Sequence, residues 1–363
     1  MAKKIPVPIW TILVIVCIAS LGIIRYISPK YHYIDTISQA EQAVENMSPA
    51  QIIGQLFIWG IPDTVLSSAS ANLIRTTQPA GVILTGNFTN EELHRMTWDI
   101  KQIQSSVPMF IAIDEEGGVV RHIKNDELPG GQKLGQLNKE DFCMTFTSRS
   151  ALLQKNDINT NFNIIGDVGW NIQSYMWQRT YANTPIAVAD YVEQAIACSN
   201  SIVTVIKHFP GHADTAVNSH FKIPIVDKNE LTWRQEDGLP FFRSIENNVG
   251  MIMVGHIEYP KIASGPASLS KKFHQIISDS QFQGLTITDD LGMLEQSGYS
   301  PNLYIKQALN AGNNLLLITT SSIPPETVYL NLLSEATQSS MLMETIQKNV
   351  QKTLEFKREN LHP

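Results

Sequence analysis

The sequence predicts an α/β fold: a single (β/α)8 barrel of the TIM type, preceded by an N-terminal transmembrane or signal-anchor helix. Three observations support this prediction. Short apolar runs rich in β-branched residues recur eight times, segments of helical length separate them, and one uncharged apolar segment occupies residues 5–24. Uninterrupted apolar runs are typical of parallel strands buried on both faces. Eight such units favour a closed barrel, although a doubly wound open sheet gives a similar alternation.

Each predicted element follows from this pattern in chain order. Residues 26–45 are mixed in character and predict a tether that runs into a first helix, and 338–360 predict a closing amphipathic helix. We assign residues 1–29 to the anchor or signal peptide, 30–45 to the tether and 46–363 to the barrel domain. The predicted strands are 55–61, 81–87, 109–116, 159–168, 202–209, 250–257, 284–290 and 313–319.

Composition narrows the possible functions. The chain of 363 residues has 34 acidic and 27 basic side chains, a net charge of −7, and so lacks the positive charge that sequence-independent nucleic-acid binding requires. With 43% hydrophobic and 17% charged residues it can form a large core. Its three cysteines are too few for a disulfide framework, and their spacing matches no metal site.

The N-terminal segment predicts membrane association. Residues 5–24 carry no charge and follow Lys3 and Lys4. About 20 apolar residues in a helix just span a hydrocarbon core of ~30 Å. The segment is either an uncleaved signal-anchor or a signal peptide, with Cys17 and Ala19 as the small residues before a cleavage point. We expect a single-pass protein of the cell membrane with its barrel outside the cytoplasm, or a secreted protein if cleavage occurs.

Polar side chains cluster where the predicted strands end. In a (β/α)8 barrel, catalytic groups come from the carboxyl ends of strands and the loops that follow them. Five of the eight strand ends carry charged or imidazole side chains, which a purely structural barrel does not need. These residues are Asp114, Glu115, Glu116, Asp167, Lys207, His208, His256, Asp289 and Asp290.

The densest group of such residues lies in IKHFPGHADTAVNSH, residues 206–220. Its histidines suggest a metal site, but Pro210 and Gly211 break the helix that His208 and His212 would need to bind one ion together. We therefore interpret the segment as a polar loop that contacts a hydroxyl-rich ligand and supplies a proton-transfer group, without a metal.

A second group ends the strand in GLTITDDLGM, residues 284–293. We expect Asp289 to point into the mouth of the barrel and Asp290 to cap the following helix. A carboxylate beside an oxocarbenium-like transition state is what glycoside cleavage requires.

These segments carry a family resemblance. KHFPGHADT and ITDDLGM are its most specific motifs, and FIAIDEEGGVVRHI, LPGGQKLG, MSPAQIIGQLFIWG and PASLS add shorter matches. Over almost all of residues 47–320 the chain resembles glycoside hydrolase family 3, in its β-N-acetylglucosaminidase branch.

The resemblance implies a role for each matching residue. It makes Asp289 the nucleophile and His220 the acid/base, and it places hydroxyl-binding side chains at Asp114, Arg179, Lys207 and His208. Asp167 and His256, at the ends of the fourth and sixth strands, are expected in the same pocket.

Three positions depart from the family. Asn218 stands where the family has an aspartate two residues before the histidine, Asn314 replaces another aspartate, and Val119 replaces an arginine. A carboxylate orients an imidazole and raises its pKa, whereas asparagine brings no charge. We therefore expect weakened catalysis or a shifted pH optimum.

The resemblance implies a retaining exo-β-N-acetylglucosaminidase that removes terminal β-linked N-acetylglucosamine from glycans such as peptidoglycan fragments (muropeptides), with no metal and no organic cofactor. Three alternatives stay open. They are a sugar-binding barrel with weakened catalysis, favoured by Asn218, an exo-β-glucosidase of the same family, and cleavage by phosphate instead of water.

Overall fold

The computed structural model describes residues 39–199, 201–212, 214–219 and 221–361, and these contain an eight-stranded parallel sheet. The strand order is β7-β6-β5-β4-β3-β2-β1-β8. All eight predicted strands are confirmed, with ends trimmed by up to three residues. The strands are β1 Phe57–Ile61, β2 Gly81–Leu84, β3 Phe110–Ile113, β4 Thr160–Ile165, β5 Val203–Phe209, β6 Met251–Val254, β7 Leu285–Thr288 and β8 Leu316–Ile318.

The sheet curls into a nearly closed barrel. Strand β1 pairs with both β2 and β8, so β8 lies next to the first strand. Strands β7 and β8 meet at an isolated bridge between Ile287 and Leu315, where the Leu315 N–H donates to the Thr286 carbonyl at 3.0 Å. This closure distinguishes the TIM-type barrel from an open sheet.

Helices surround the barrel because each crossover between parallel strands covers the outer face. Several begin with the sequence signals that fix a helix start; Ser48 and Thr89, for example, each form a capping box. The helices are α1 over 39–46, α2 Pro49–Gly54, α3 Ser68–Thr77, α4 Asn90–Ile103, α5 Gly131–Leu134, α6 Lys139–Lys155, α7 Pro185–Cys198, α8 Glu230–Gln235, α9 Leu239–Glu246, α10 Lys271–Asp279, α11 Pro301–Ala311, α12 Pro325–Gln338 and α13 Ser340–Asn360.

The closing helix α13 confirms the prediction for 338–360 and covers the N-terminal end of the barrel. Phe356 packs on Phe110 with 6.2 Å between ring centroids. Lys357 is fully buried, donates to Gln55 Oε1 at 2.8 Å, and has a pKa well below its usual value because burial disfavours its charge. This end of the barrel is packed shut, so the open end lies at the carboxyl ends of the strands.

Asn314, one of the departures from the family, belongs to the closed end. Its Oδ1 accepts the Thr286 N–H at 2.9 Å, and its Nδ2 donates to Asn349 of α13. It therefore joins the start of β7 to the closing helix and lies far from the strand ends where chemistry is expected.

A disulfide joins Cys143 of α6 to Cys198, the last residue of α7. The sequence predicted no disulfide framework, and this single bond between residues 55 positions apart was not anticipated. Spacing could not reveal it because the two helices become neighbours only when β4 and β5 pair.

None of the helices in the described part of the chain is long and apolar enough to cross a membrane. The predicted anchor, including residues 5–24, lies outside the described residues. Membrane attachment therefore stays a prediction.

Candidate active site

A cavity of about 180 Å³ opens at the carboxyl ends of the strands. Its walls contain five of the predicted site residues: Asp114, Arg179, Lys207, His208 and Asp289. The rest of its lining is Ile83, Thr85, His122, Phe162, Tyr175, Ser219, Met253, Asp290, Met293, Leu317 and Thr319. Motifs that are distant in the sequence thus meet around one space.

A buried carboxylate organises the two cations of this cavity. Glu116 accepts from Arg179 at both oxygens, at 2.6 and 2.9 Å, and from Lys207 at 2.7 Å. Lys207 also contacts Asp114. Burial alone would raise the pKa of Glu116, but the charges of Arg179 and Lys207 prevail and lower it to about 2. The sequence marked Glu116 as a strand-end acid without giving it this role.

Asp167 lies behind His208 and not in the cavity wall, which corrects the expected placement. It is fully buried, its Oδ2 is 2.7 Å from His208 Nδ1, and its Oδ1 accepts the His212 N–H at 2.6 Å. Burial opposes ionisation, but His208 and His212 outweigh it and lower the pKa of Asp167. Asp167 therefore fixes the ring orientation of His208 and the start of the following loop.

Asp289 follows β7 and faces the cavity. Its N–H donates to the Val254 carbonyl at 2.9 Å, and its Oδ1 accepts the Asp290 N–H at 2.8 Å. Burial would raise its pKa, but His208, His256, the Asp290 N–H and Lys207 together lower it below the usual value. Asp289 is therefore a carboxylate at neutral pH, as a nucleophile must be.

Asp290 serves the fold, as expected. Its side chain caps the 3-10 turn Leu291–Ser297 by accepting the Gly292 N–H at 3.2 Å, and it accepts the Thr319 N–H at 2.9 Å. These bonds turn it away from the position that Asp289 occupies.

His256 also lies behind the cavity wall, contrary to the expected placement. It is buried, with Nε2 2.8 Å from the Asp290 carbonyl oxygen and Nδ1 2.7 Å from Ser268 Oγ. Because a carbonyl only accepts, Nε2 carries the proton. His256 therefore holds the turn between Asp289 and Asp290.

The β5 loop, defined as residues 210–224, contains the remaining predicted residues. Asn218 is partly exposed, and its carbonyl accepts the Phe221 N–H at 3.1 Å. Ser219 reaches the cavity. His220, the predicted acid/base, lies outside the described residues, so its role stays a prediction.

Sequence reasoning missed several cavity residues that come from loops. His122 bonds the Gly86 carbonyl through Nδ1 at 2.8 Å, and Tyr175 and Ser219 bond each other at 3.0 Å. His122 and Ser219 lie within the segments FIAIDEEGGVVRHI and IKHFPGHADTAVNSH but were not assigned to the cavity, and Tyr175 lies outside every motif, so only the folded arrangement reveals their position. Val119, another departure from the family, is 61% exposed and is not part of the cavity lining.

No three or more His, Cys, Asp or Glu side chains within the described ranges are arranged to hold a metal ion. The cavity wall instead combines the hydrogen-bonding side chains of Arg179, Lys207 and His208 with the carboxylates of Asp114 and Asp289. Such a lining suits a ligand with many hydroxyl groups.

Three comparisons place this site in a family. The model of the glycosyl hydrolase family 3 N-terminal domain matches residues 50–356. A β-hexosaminidase of Nitrosomonas eutropha is 30% identical over 254 residues, which cover 66% of this chain and 73% of that protein.

Solved structures agree. A family 3 β-N-acetylglucosaminidase from Paenibacillus sp. str. FPU-7 superposes with a TM-score of 0.81 at 26% identity, over 86% of this chain and 63% of that one. The fold also matches a β-N-acetylhexosaminidase of Beutenbergia cavernae, with a TM-score of 0.79 at 20% identity, over 85% of this chain and 98% of that one. The chain belongs to glycosyl hydrolase family 3, in its β-N-acetylglucosaminidase branch, and the prediction of a glycoside hydrolase is confirmed.

Proposed function

We propose that the protein is a retaining exo-β-N-acetylglucosaminidase that forms a glycosyl-enzyme intermediate on Asp289. The observation that carries this proposal is the ionised Asp289 carboxylate in the same cavity as Asp114, Arg179, Lys207 and His208. A cavity of about 180 Å³ suits one sugar ring at a chain end better than an extended glycan. The side chains around it bind hydroxyl groups and place the anomeric carbon beside Asp289.

The reaction has two steps with opposite proton transfers. In the first, an Asp289 oxygen bonds to the anomeric carbon, the bond to the leaving oxygen breaks, and protonated His220 gives that oxygen its proton. In the second, neutral His220 takes a proton from water, the water oxygen bonds to the same carbon, and Asp289 leaves as carboxylate. Two inversions give net retention.

The substrate class follows from the relatives. Proteins named as β-hexosaminidases and β-N-acetylglucosaminidases support a terminal β-linked N-acetylglucosamine as the sugar that is removed. We propose muropeptides or similar cell-wall fragments as the natural source, since the predicted location outside the cytoplasm would bring the enzyme close to that polymer.

An extracytoplasmic location has support from the described part of the chain. Disulfides persist in oxidising compartments and are rare in the cytosol, and Cys143 and Cys198 are bonded. Alkylation of the protein as isolated without reductant, followed by peptide mass spectrometry, should find these two cysteines linked. Alkylation of both before reduction would contradict the proposed location.

Two chromogenic substrates test the activity. The p-nitrophenyl β-N-acetylglucosaminide should be hydrolysed at least about tenfold faster than the β-glucoside; the reverse preference would favour the exo-β-glucosidase alternative. NMR of the first-formed sugar, with and without phosphate, reports the stereochemistry and the acceptor. An initially formed α-anomer would contradict the double displacement, and a sugar phosphate would show that phosphate replaces water.

Asn218 favours one second candidate, a barrel that binds sugar but cleaves it slowly. Calorimetric titration with N-acetylglucosamine distinguishes this candidate from the enzyme. Binding without turnover of the chromogenic substrate would support the weakened barrel.

A further inference from the structure

The β5 loop reaches the cavity with little regular structure to support it. Its described residues contain no helix and no strand. At its start, His212 is fully buried and its N–H is bound by Asp167 at 2.6 Å. Near its middle, Ser219 is buried and lines the cavity. Backbone N–H groups of the same loop bind the Asn218 carbonyl, whereas the Ser219 side chain is bound by a residue of another loop.

Tyr175 provides such a contact from the loop between β4 and α7. Its hydroxyl lies 3.2 Å from His212 Nε2 and 3.0 Å from Ser219 Oγ. Its ring meets the His212 ring edge-on, with 5.2 Å between centroids. One hydroxyl thus joins the buried start of the β5 loop to the residue seven positions later that faces the cavity.

The burial of His212 sets the direction of these hydrogen bonds. Its Nδ1 is buried and has no hydrogen-bond partner among the described residues. An N–H at that position would be buried and unsatisfied, which is costly, so the proton of the neutral ring lies on Nε2. His212 then donates to the Tyr175 oxygen, and Tyr175 donates to Ser219 Oγ.

The ionisation states of both groups agree with this direction. Burial lowers the pKa of His212 to about 4, so the ring is neutral at neutral pH. Burial, together with the negative charges of Asp289 and Asp167, raises the pKa of Tyr175 to about 12. Tyr175 therefore keeps its proton and remains a donor to Ser219.

We propose that Tyr175 is a positioning residue for general acid catalysis. Its hydroxyl holds Ser219 against His212, and this contact fixes the segment that ends at Ser219 beside the cavity. The inference rests on the proposed function, in which the next residue in the sequence, His220, protonates the leaving oxygen. Tyr175 transfers no proton to substrate in this proposal.

The proposal predicts an effect that depends on the leaving group. A sugar or methylumbelliferyl leaving group needs protonation when the glycosidic bond breaks, whereas 2,4-dinitrophenolate leaves without it. A misplaced general acid therefore lowers kcat/KM for the first kind of substrate only, because kcat/KM covers the step that breaks this bond.

Tyr175→Phe removes the hydroxyl and keeps the ring. We expect kcat/KM on a β-linked N-acetylglucosamine disaccharide to fall about tenfold and kcat/KM on the 2,4-dinitrophenyl glycoside to change less than about twofold. The matched control is Tyr191→Phe, which removes a hydroxyl that donates to the Gly135 carbonyl at 2.7 Å away from the cavity. The control should leave the ratio of the two kcat/KM values unchanged.

Two results would overturn the proposal: an equal loss on both substrates, which indicates a role in folding or binding, or no loss on either. Ser219→Ala keeps the test decisive if Tyr175→Phe fails to fold, since removal of the acceptor should produce the same selective loss. In the double variant the two losses should not add, because both substitutions remove the same hydrogen bond between Tyr175 and Ser219. Additive losses would contradict the bridge.

The two proposals fail in different ways. If the unmodified protein cleaves neither substrate, the proposed function is wrong, and the positioning role of Tyr175 in general acid catalysis is wrong with it. If the unmodified protein is active and Tyr175→Phe keeps its ratio of kcat/KM values, the proposed function stands and the role of Tyr175 is wrong.

Discussion

The floor of the cavity and the β5 loop beside it are built in different ways. The floor consists of Glu116 and Lys207, which lie at the ends of strands β3 and β5, and of Arg179 from the loop between β4 and α7. Short charged contacts bind these side chains to each other, with Glu116 joining Arg179 and Lys207. The β5 loop has no regular structure in its described residues, and Tyr175 is one of the side chains that bind it to its neighbours.

This difference separates the two requirements of the proposed reaction. Substrate binding and nucleophilic attack use groups that are already in place, because barrel strands and buried ion pairs fix them. Proton transfer uses a residue of a loop whose conformation depends on a few hydrogen bonds. We therefore expect substitutions in the floor to abolish activity or destabilise the protein, and substitutions at the loop to tune the rate and its pH dependence.

Removal of the nucleophile should have the largest effect. Asp289→Ala should lower kcat at least about 10⁴-fold, because the other carboxylates of the cavity wall have other partners: Asp114 pairs with Lys207, and Asp290 accepts from backbone N–H groups. Asp227→Ala is the control, since Asp227 is an exposed residue paired with Lys261 at 3.0 Å. A fluorinated N-acetylglucosaminyl fluoride should label the peptide that contains Asp289, as measured by mass spectrometry. Retention of a tenth of the activity would mean that another residue is the nucleophile.

Neutralisation of Glu116 should have the next largest effect. Glu116→Gln leaves Arg179 and Lys207 buried without their shared counter-charge, which costs about 3–5 kcal/mol of unfolding free energy. We expect kcat/KM to fall about 10²–10³-fold together with this loss of stability, measured by denaturant unfolding. Glu92→Gln is the matched control, because its partner Lys124 is exposed and the pair contributes at most about 1 kcal/mol. Equal effects of the two substitutions would contradict the organising role of Glu116.

Acidification should lower the unfolding free energy through two buried, neutral histidines, of which only His212 belongs to the β5 loop. Burial lowers the pKa of His212 to about 4, and it does the same to His274 in helix α10. Between pH 6.5 and 4, each of these two histidines is protonated in the unfolded chain and neutral in the folded chain. Each histidine therefore lowers the unfolding free energy by up to about 3 kcal/mol over this range, and nothing is lost above pH 6.5.

Asparagine at either position should flatten this pH dependence by a similar amount, as measured by denaturant unfolding at pH 4.5 and 7. Only His212→Asn should also lower kcat/KM, because His212 binds Tyr175 and the start of the β5 loop. If the unfolding free energy of a variant kept the pH dependence of the original protein, the histidine that was replaced would be charged in the folded protein at pH 4.5.

The sequence alone was sufficient to predict the barrel and the strand-end side chains that line the cavity. Each strand is an apolar run that ends in a polar residue, and the carboxyl ends of parallel strands meet at one face, so Asp114, Lys207 and Asp289 could be placed together from sequence alone. Asp290 could be assigned to capping because neighbouring residues at a strand end point in different directions.

The residues behind the cavity wall and the contacts between loops could not be predicted. Asp167 and His256 also end strands, but their side chains lie behind the wall because each binds a neighbouring residue of the site. Tyr175 and the disulfide at Cys143 depend on which loops and helices become neighbours, and no local pattern encodes that. Asn314 departs from the family, yet it lies at the closed end, so a departure in sequence did not by itself indicate a change of chemistry.

Replacement of Asn218 by the aspartate that the family has at this position should have the smallest effect: a higher rate and an upward shift of the basic limb of the pH–rate profile. Asn218→Asp places a negative charge two residues before His220. An adjacent carboxylate stabilises the protonated imidazole and raises its pKa, by about one unit for a close pair, which corresponds to ~1.4 kcal/mol. The protonated acid then persists to higher pH, so the basic limb of the pH–rate profile should move up by about one unit and kcat at pH 7.5 should rise several-fold. Asn229→Asp is the control, since Asn229 caps helix α8 through its side-chain oxygen and aspartate caps equally well. If Asn218→Asp left both the rate and the profile unchanged, the loop would not be limited by its missing charge, and the orientation supplied by Tyr175 would be the more important determinant of proton transfer.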